Sequence, residues 1–243
     1  MRAVILCAGL GSRFGQHTYQ EHKLLLPVNG VPIIDYTLRA FSLAGFHDVG
    51  LVTGFMSDRL VDWVGDGARY GLKVEYFHNP DYKLGNALSI RAAQPFTRDE
   101  PFILSMGDHL VSSNLITRVQ GFDGNRDTNA LGVDFDWNWR DELDATRVQV
   151  EPGGRISAIG KQITKWNGVD SGVFRFNREI YAVLDQWIAL DKSKRYEMGD
   201  ALAYMVSQGG LIRSCDISQC FWHDVDSLDD IALVESSVVG FDK

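Results

Sequence analysis

The chain has 243 residues, of which 45% are hydrophobic, with a formal net charge of -8 and three cysteines. This length accommodates one large α/β domain or two small ones and supports a sizeable core. The acidic balance argues against general nucleic-acid binding, which calls for a basic surface, and the odd cysteine count, with no C-x-x-C pair, excludes a zinc or dithiol motif of that kind.

The first predicted element is a buried strand over Ala3–Cys7. It empties into Leu6-Cys7-Ala8-Gly9-Leu10-Gly11-Ser12-Arg13, and Lys23-Leu24-Leu25-Leu26-Pro27-Val28 follows. A strand ending in a glycine loop can turn backbone N–H groups toward a phosphate chain. Arg13 and Lys23 supply cations for phosphate oxygens. A dinucleotide fingerprint would need a third glycine at position 14, which is Phe14, and no P-loop string occurs. Cys7 is expected to be a packing residue, and His17 and His22, in the loop after Gly15, are expected to face solvent.

Pro32 opens a helix whose apolar face includes Leu38, Phe41 and Leu43, and Gly45 stops it. A strand over Val49–Thr53, a helix over Asp58–Val64, a strand over Lys73–Phe77 and a helix over Asn86–Ala93 come next. Phe102–Met106 is a further apolar strand, followed at once by Gly107-Asp108-His109. This alternation predicts a parallel sheet covered on both faces. Ligands bind such sheets outside the carboxyl ends of the strands, where the glycine loop and Gly107-Asp108 both fall.

The second half is less regular. Strands are expected at Asn129–Phe135, Arg147–Val150, Ser171–Phe176 and Leu211–Cys215, and Ile156–Ile159 alternates weakly after the Pro152-Gly153-Gly154 turn. Helices are expected at Glu179–Leu190, Gly199–Gln208 and Leu228–Ser236. With no linker and no repeat, the chain is one continuous domain. Residues 1–135 are mainly nucleotide-binding, and 136–243 mainly bind an acceptor and contribute a second metal ligand. A small β-rich acceptor-binding region is inserted at about Asp136–Asp170.

Asp108 follows a strand directly, and Trp222-His223-Asp224-Val225-Asp226 brings further acids. Converging carboxylates repel one another unless a cation lies between them, and Mg²⁺ combines a few carboxylates with substrate phosphates. Asp108, Asp224 and Asp226 are therefore the candidate Mg²⁺ ligands. Asp229 and Asp230 instead belong to a helix start capped by Ser227. His109 is either a ligand or a packing and hydrogen-bonding residue. No stretch approaches the roughly 18 apolar residues of a membrane span, and the opening apolar run is too short for a signal peptide. A soluble, cytoplasmic protein is expected.

The set Gly9-x-Gly11-Ser12-Arg13, Lys23, Gly85-Asn86-Ala87-Leu88-Ser89, Gly107-Asp108-His109 and Trp222-His223-Asp224-Val225-Asp226 resembles the cytidylyltransferase branch of the sugar-phosphate nucleotidyltransferase superfamily. Within it, the set is most similar to the CTP:inositol-1-phosphate cytidylyltransferases. The resemblance implies a Rossmann-like, mostly parallel sheet with helices on both faces. It also implies Mg²⁺-dependent transfer of a cytidylyl group from CTP to inositol 1-phosphate. Leu6, Ala8, Gly9, Gly11, Ser12 and Gly107 would hold the nucleotide, Arg13 and Lys23 would neutralise the triphosphate, and Asn86 and Ser89 would lie near the base and ribose. Lys161, Gly172 and Glu197 would face the acceptor. The family often places an aromatic within its Asn-x-x-Ser segment, where this chain has Ala87-Leu88. The implied partners are CTP and a phosphate-monoester acceptor, with a membrane-bound downstream synthase, absent here as in a stand-alone form, and a homodimer as further associations. Phosphocholine, a phosphonate or a sugar 1-phosphate, with CTP or UTP, remains open as the acceptor chemistry, as does a nucleotide-sensing module without turnover.

Overall fold

The computed structural model describes residues 1–18, 20–123, 125–137, 145–191 and 195–237. The first half runs β1 (Arg2–Cys7), β2 (Pro27–Val28), β3 (Val31–Pro32), α1 (Ile33–Leu43), β4 (Asp48–Thr53), α2 (Ser57–Val64), β5 (Lys73–His78), α3 (Ala87–Ala92), α4 (Gln94–Thr97) and β6 (Phe102–Met106). The second half runs β7 (His109–Val111), α5 (Ser113–Gly121), β8 (Asn129–Asp134), β9 (Arg147–Val150), β10 (Ile156–Gly160), β11 (Gly168–Phe176), α6 (Glu179–Leu190), α7 (Met198–Ser207), β12 (Ile212–Asp216), β13 (Trp222–Asp224) and α8 (Leu228–Ser237).

One nine-stranded mixed sheet organises the molecule, in the order β10-β9-β11-β6-β1-β4-β5 with β8 and β12 added beyond β11. β6, β1, β4 and β5 are parallel, with Leu6 paired to Val52 on one side and Met106 on the other. Ala3, Val4 and Ile5 of β1 are fully buried, as expected for a strand covered on both faces. One core lies on the face that includes Ile5, Leu38, Phe41 and Leu115, and a second on the face that includes Val4, Ile90, Phe174 and Leu202.

β11 begins at Gly168, three residues before the expected Ser171, and a register shift falls between Asp170 and Phe174. That irregularity breaks the period-two pattern and hides the first part of the strand. The helix expected at Asn86–Ala93 is α3 followed by the short α4. α5 was not expected, and the ribbon pairing β7 with β13 joins segments more than a hundred residues apart. Within Asp136–Asp170, residues 138–144 lie outside the described residues. The rest forms β9, β10 and the start of β11, which extend the main sheet.

Candidate functional site

A cleft of about 1230 Å³ opens at the carboxyl ends of β1 and β6. β1 delivers the glycine loop, and Lys23 lies beneath that loop. A Cβ on Gly11 would sit 2.8 Å from Lys23 Cβ, and one on Gly9 would sit 3.7 Å from Lys23 Cε. Gly11 also has φ +63°, a conformation costly for any residue with a side chain. The loop is therefore wrapped around the lysine stem. Thr18 Oγ1 pins it further by donating to the carbonyls of Gly11 and Gly15, each at 3.2 Å.

Lys23 Nζ donates to Asp108 Oδ2 and lies 3.6 Å from Asp226 Oδ1. Arg13 Nη1 donates to Asp226 Oδ2 at 2.9 Å. Burial opposes the charge on Lys23, but the Asp108 and Asp226 carboxylates outweigh it and hold the amine above the usual lysine range. Asp108 is affected in the opposite sense. Burial raises its pKa, yet the Lys23 charge prevails and keeps the carboxyl below the usual carboxylate range. Asp226 is raised, first by burial and then by the negative charge of Asp108.

The β7–β13 ribbon places these acids together. Asp224 pairs with His109, and Val225 N donates to Asp108 O at 2.9 Å. Asp224 and Asp226 thus flank the residue bonded to the Asp108 backbone. The Asp224 side chain is 40% exposed, with Oδ1 3.9 Å from His223 Nδ1. Asp230 accepts from the amides of Asp226 and Ser227 while Ser227 Oγ accepts from Asp230 N, a capping box that fixes the entry to α8.

Asp108 Oδ1 is buried and accepts no hydrogen bond, which leaves one carboxylate oxygen of the cleft able to accept a further donor or cation. Among the described residues, no group of three His, Cys, Asp or Glu side chains is arranged to hold a metal ion.

Leu6, Ala8, Gly9, Gly11, Ser12, Arg13, Lys23, Asn86, Ser89, Asp108, Asp224 and Asp226 line this one cleft, as do Lys161, Gly172 and Glu197. Asn86 Oδ1 accepts from Met198 N at 2.6 Å, and Ser89 Oγ accepts from Asn79 Nδ2 at 3.0 Å. Glu197 pairs with Arg195 at 3.1 Å.

Two expectations need correction. Gly107 does not line the cleft; it is packed behind it, donating to Leu6 O at 2.9 Å, and a Cβ would meet that same oxygen at 2.7 Å. Its lack of a side chain lets β6 lie against β1. His22 does not face solvent; it is 1% exposed, whereas His17 is exposed.

Asp170 also lines the cleft. Burial raises its carboxyl to about 6, against a bond donated by Gly172 N at 2.7 Å that favours the charged form. His109 Nδ1 donates to Ser171 O at 2.9 Å, which orients the ring, and its Nε2 lies 3.9 Å from Asp108 Oδ1 without a hydrogen bond. Tyr82, Lys83, Arg195 and Asp200 also line the cleft, and as isolated charged or aromatic residues they carry no spacing signal in the sequence.

A model of the family described as nucleotidyl transferase matches residues 2–238. The chain belongs to the nucleotidyl transferase family. It is 29% identical over 98% of its length to a protein of Rubrobacter xylanophilus called bifunctional IPC transferase and DIPP synthase, of which it covers 52%. It is 30% identical over 98% of its length to the protein of that name from Thermococcus kodakarensis, again covering 52%. The chain thus spans about half the length of these relatives. A glucose-1-phosphate thymidylyltransferase of Streptomyces griseus is 29% identical over 98% of the chain and is covered to 66%. Among solved structures, the inositol-1-phosphate CTP transferase from T. maritima superposes with a TM-score of 0.85 at 24% identity, over 97% of this chain and 93% of that one. The Rossmann-like nucleotidyl transferase fold is shared. Among the described residues, no helix is long and apolar enough to cross a membrane.

Proposed function

We propose that this nucleotidyl transferase moves the cytidylyl group of CTP to inositol 1-phosphate. A phosphate oxygen of the acceptor attacks the α-phosphorus, the bond to the β-phosphate breaks, and CDP-inositol and pyrophosphate are formed. The observation that carries the reading is Lys23 Nζ held between Asp108 and Asp226 beneath the glycine loop, beside a carboxylate oxygen with no hydrogen bond. This arrangement combines cations for a polyphosphate with an acid for its metal. The inositol acceptor is supported by the names of relatives that match nearly the whole chain.

The nucleophile is already an anion, so no general base is needed, and catalysis is positioning and charge neutralisation. Lys23 and Arg13 would stabilise the departing pyrophosphate. Backbone N–H groups over Ala8 to Gly11 would face the phosphates, while Asn86 and Ser89 would border the base and ribose. Lys161 would face the acceptor phosphate, and Gly172 and Glu197 its ring. Asp108, with Asp224, would hold Mg²⁺, while Asp226 pairs with Arg13 and Lys23. When bound, that ion neutralises phosphate charge at the reacting centre. The three free cysteines are all buried, in keeping with a reducing, cytoplasmic setting.

A hexose 1-phosphate with a thymidine or uridine nucleotide is the second reading, favoured by the equally similar Streptomyces griseus relative. Pyrophosphate release should be assayed with CTP, UTP and dTTP against inositol 1-phosphate, phosphocholine and glucose 1-phosphate, with and without EDTA. The expected result is EDTA-sensitive turnover confined to CTP with inositol 1-phosphate. Preference for another pair replaces the substrate assignment, and CTP binding without release from any pair replaces catalysis with sensing.

A further inference from the structure

His22 lies immediately before Lys23, 1% exposed, and its ring bonds to backbone on both sides. Nδ1 faces Leu24 N at 3.1 Å, and Nε2 faces Cys7 O at 3.1 Å. An amide can only donate and a carbonyl can only accept. The ring is therefore neutral, with Nδ1 accepting and Nε2–H donating. Burial, the larger effect, lowers its pKa to about 4, so the neutral form persists at ordinary pH. The two bonds join the last residue of β1, from which the glycine loop departs, to the residue after Lys23. Leu25 N and Leu26 N then bond the carbonyls of His22 and Lys23, closing one tight turn under the loop.

From this geometry we infer that His22 is a positioning residue for Lys23. It is a neutral bridge that fixes the lysine segment against the end of β1, so that Nζ emerges beneath Gly9 and Gly11 at the acids. Neither neighbour can substitute. Lys23 is engaged at the far end of its stem, and Cys7 presents its carbonyl because Gly107 and Phe55 bond the adjacent carbonyls of Leu6 and Ala8. The inference rests on the proposed nucleotide-transfer role of Lys23, but its test does not need the base or the acceptor to be identified.

The full chain and its H22L, H22N, K23A and H22L/K23A variants should be titrated with inorganic tripolyphosphate by calorimetry, and melting should be recorded alongside. H22L removes both bonds. H22N keeps an acceptor near Nδ1 and the capping character of the position. H22L should bind tripolyphosphate about ten- to a hundredfold more weakly in its folded fraction, H22N should recover part of the loss, and H22L should add nothing in the K23A background. With CTP and the best acceptor, the H22L defect should fall on kcat more than on KM for the acceptor. Equal binding by folded H22L, additive losses in the double variant, or no tripolyphosphate binding by the unsubstituted protein would each overturn the inference. If H22L does not fold, the pair H22N and H22N/K23A decides by the same non-additivity. Failure of CTP and inositol 1-phosphate to react, with the tripolyphosphate pattern intact, would sink only the substrate assignment.

Discussion

Lys23 bonds one carboxylate oxygen of Asp108 and leaves the other, Oδ1, buried and without a hydrogen bond. The ammonium neutralises the acid, but the vacant oxygen keeps the acid able to bind a second cation. Full pairing would have made Asp108 inert, and no pairing would have driven it to take up a proton.

Lys23→Ala and Asp108→Asn should each lower pyrophosphate release by about 10²–10³-fold, the scale of losing one preorganised charge at a reacting phosphate. Arg13→Ala should cost less, since Arg13 is half exposed and its pairing is screened. Lys23→Arg should not rescue, because a planar guanidinium does not fit the channel under Gly9 and Gly11. Steady-state assays on variants with unchanged circular dichroism check this; activity of Lys23→Ala near that of the parent would refute the role.

Gly11→Ala tests the wrapped loop. The left-handed backbone costs about 1–2 kcal/mol for a residue with a Cβ, and the added methyl runs into Lys23 Cβ and Thr18 Cγ2. The expected outcome is a lower melting temperature and a raised KM for the nucleotide. Gly15→Ala, where φ is also positive but nothing lies within 4 Å of the added Cβ, lowers the melting temperature through backbone strain but should leave the KM unaltered. Equal KM values for the two variants would count against the wrapped arrangement.

Asp170 sets a pH dependence. Its folded pKa, raised by burial to about 6, exceeds the ordinary carboxylate value. The protonated form is therefore favoured by folding, and the contribution to stability is complete below about pH 4 and is lost as pH rises through 6. In metal-free buffer, Asp170→Asn should melt higher than the parent above pH 7, and the gap should close by pH 4. A gap that is constant with pH would show that Asp170 is not titrating as described.

Arg175 is fully buried in β11. It donates to the carbonyls of Thr128, Gln120 and Phe122 and pairs with Asp123 at 3.0 Å. Arg175→Leu strands those acceptors and should cost about 3 kcal/mol or more in urea unfolding. Arg175→Lys should recover little, because one ammonium cannot reach a fan of acceptors. A loss under about 1 kcal/mol would mean that water replaces the guanidinium.

What the sequence discloses depends on how local each signal is. β1, β4 and β6 announce themselves as uninterrupted apolar runs because both faces are covered. The glycine loop, Lys23, Asp108 and Asp226 carry residue-type signals that survive without coordinates. α5 was missed because its buried Leu115, Ile116 and Val119 are set among Ser, Asn, Thr, Arg and Gln, too few to make a readable stripe. The β7–β13 ribbon was missed because pairing across such a separation leaves no mark in either short segment. His22 and Gly107 were misjudged for a related reason. A histidine in a polar loop and a glycine before Asp108 take their places from partners on β1, Cys7 and Leu6.

Tyr196 N bonds Leu84 O, Ala87 N bonds Tyr196 O, and Met198 N bonds Asn86 Oδ1, lacing two rims of the cleft together. Neither rim is then a free module for engineering. A graft that exchanges the Gly85–Ser89 segment alone, or the Tyr196–Asp200 segment alone, inherits mismatched lacing. Redesign of substrate preference here has to transplant both halves of the seam in one step.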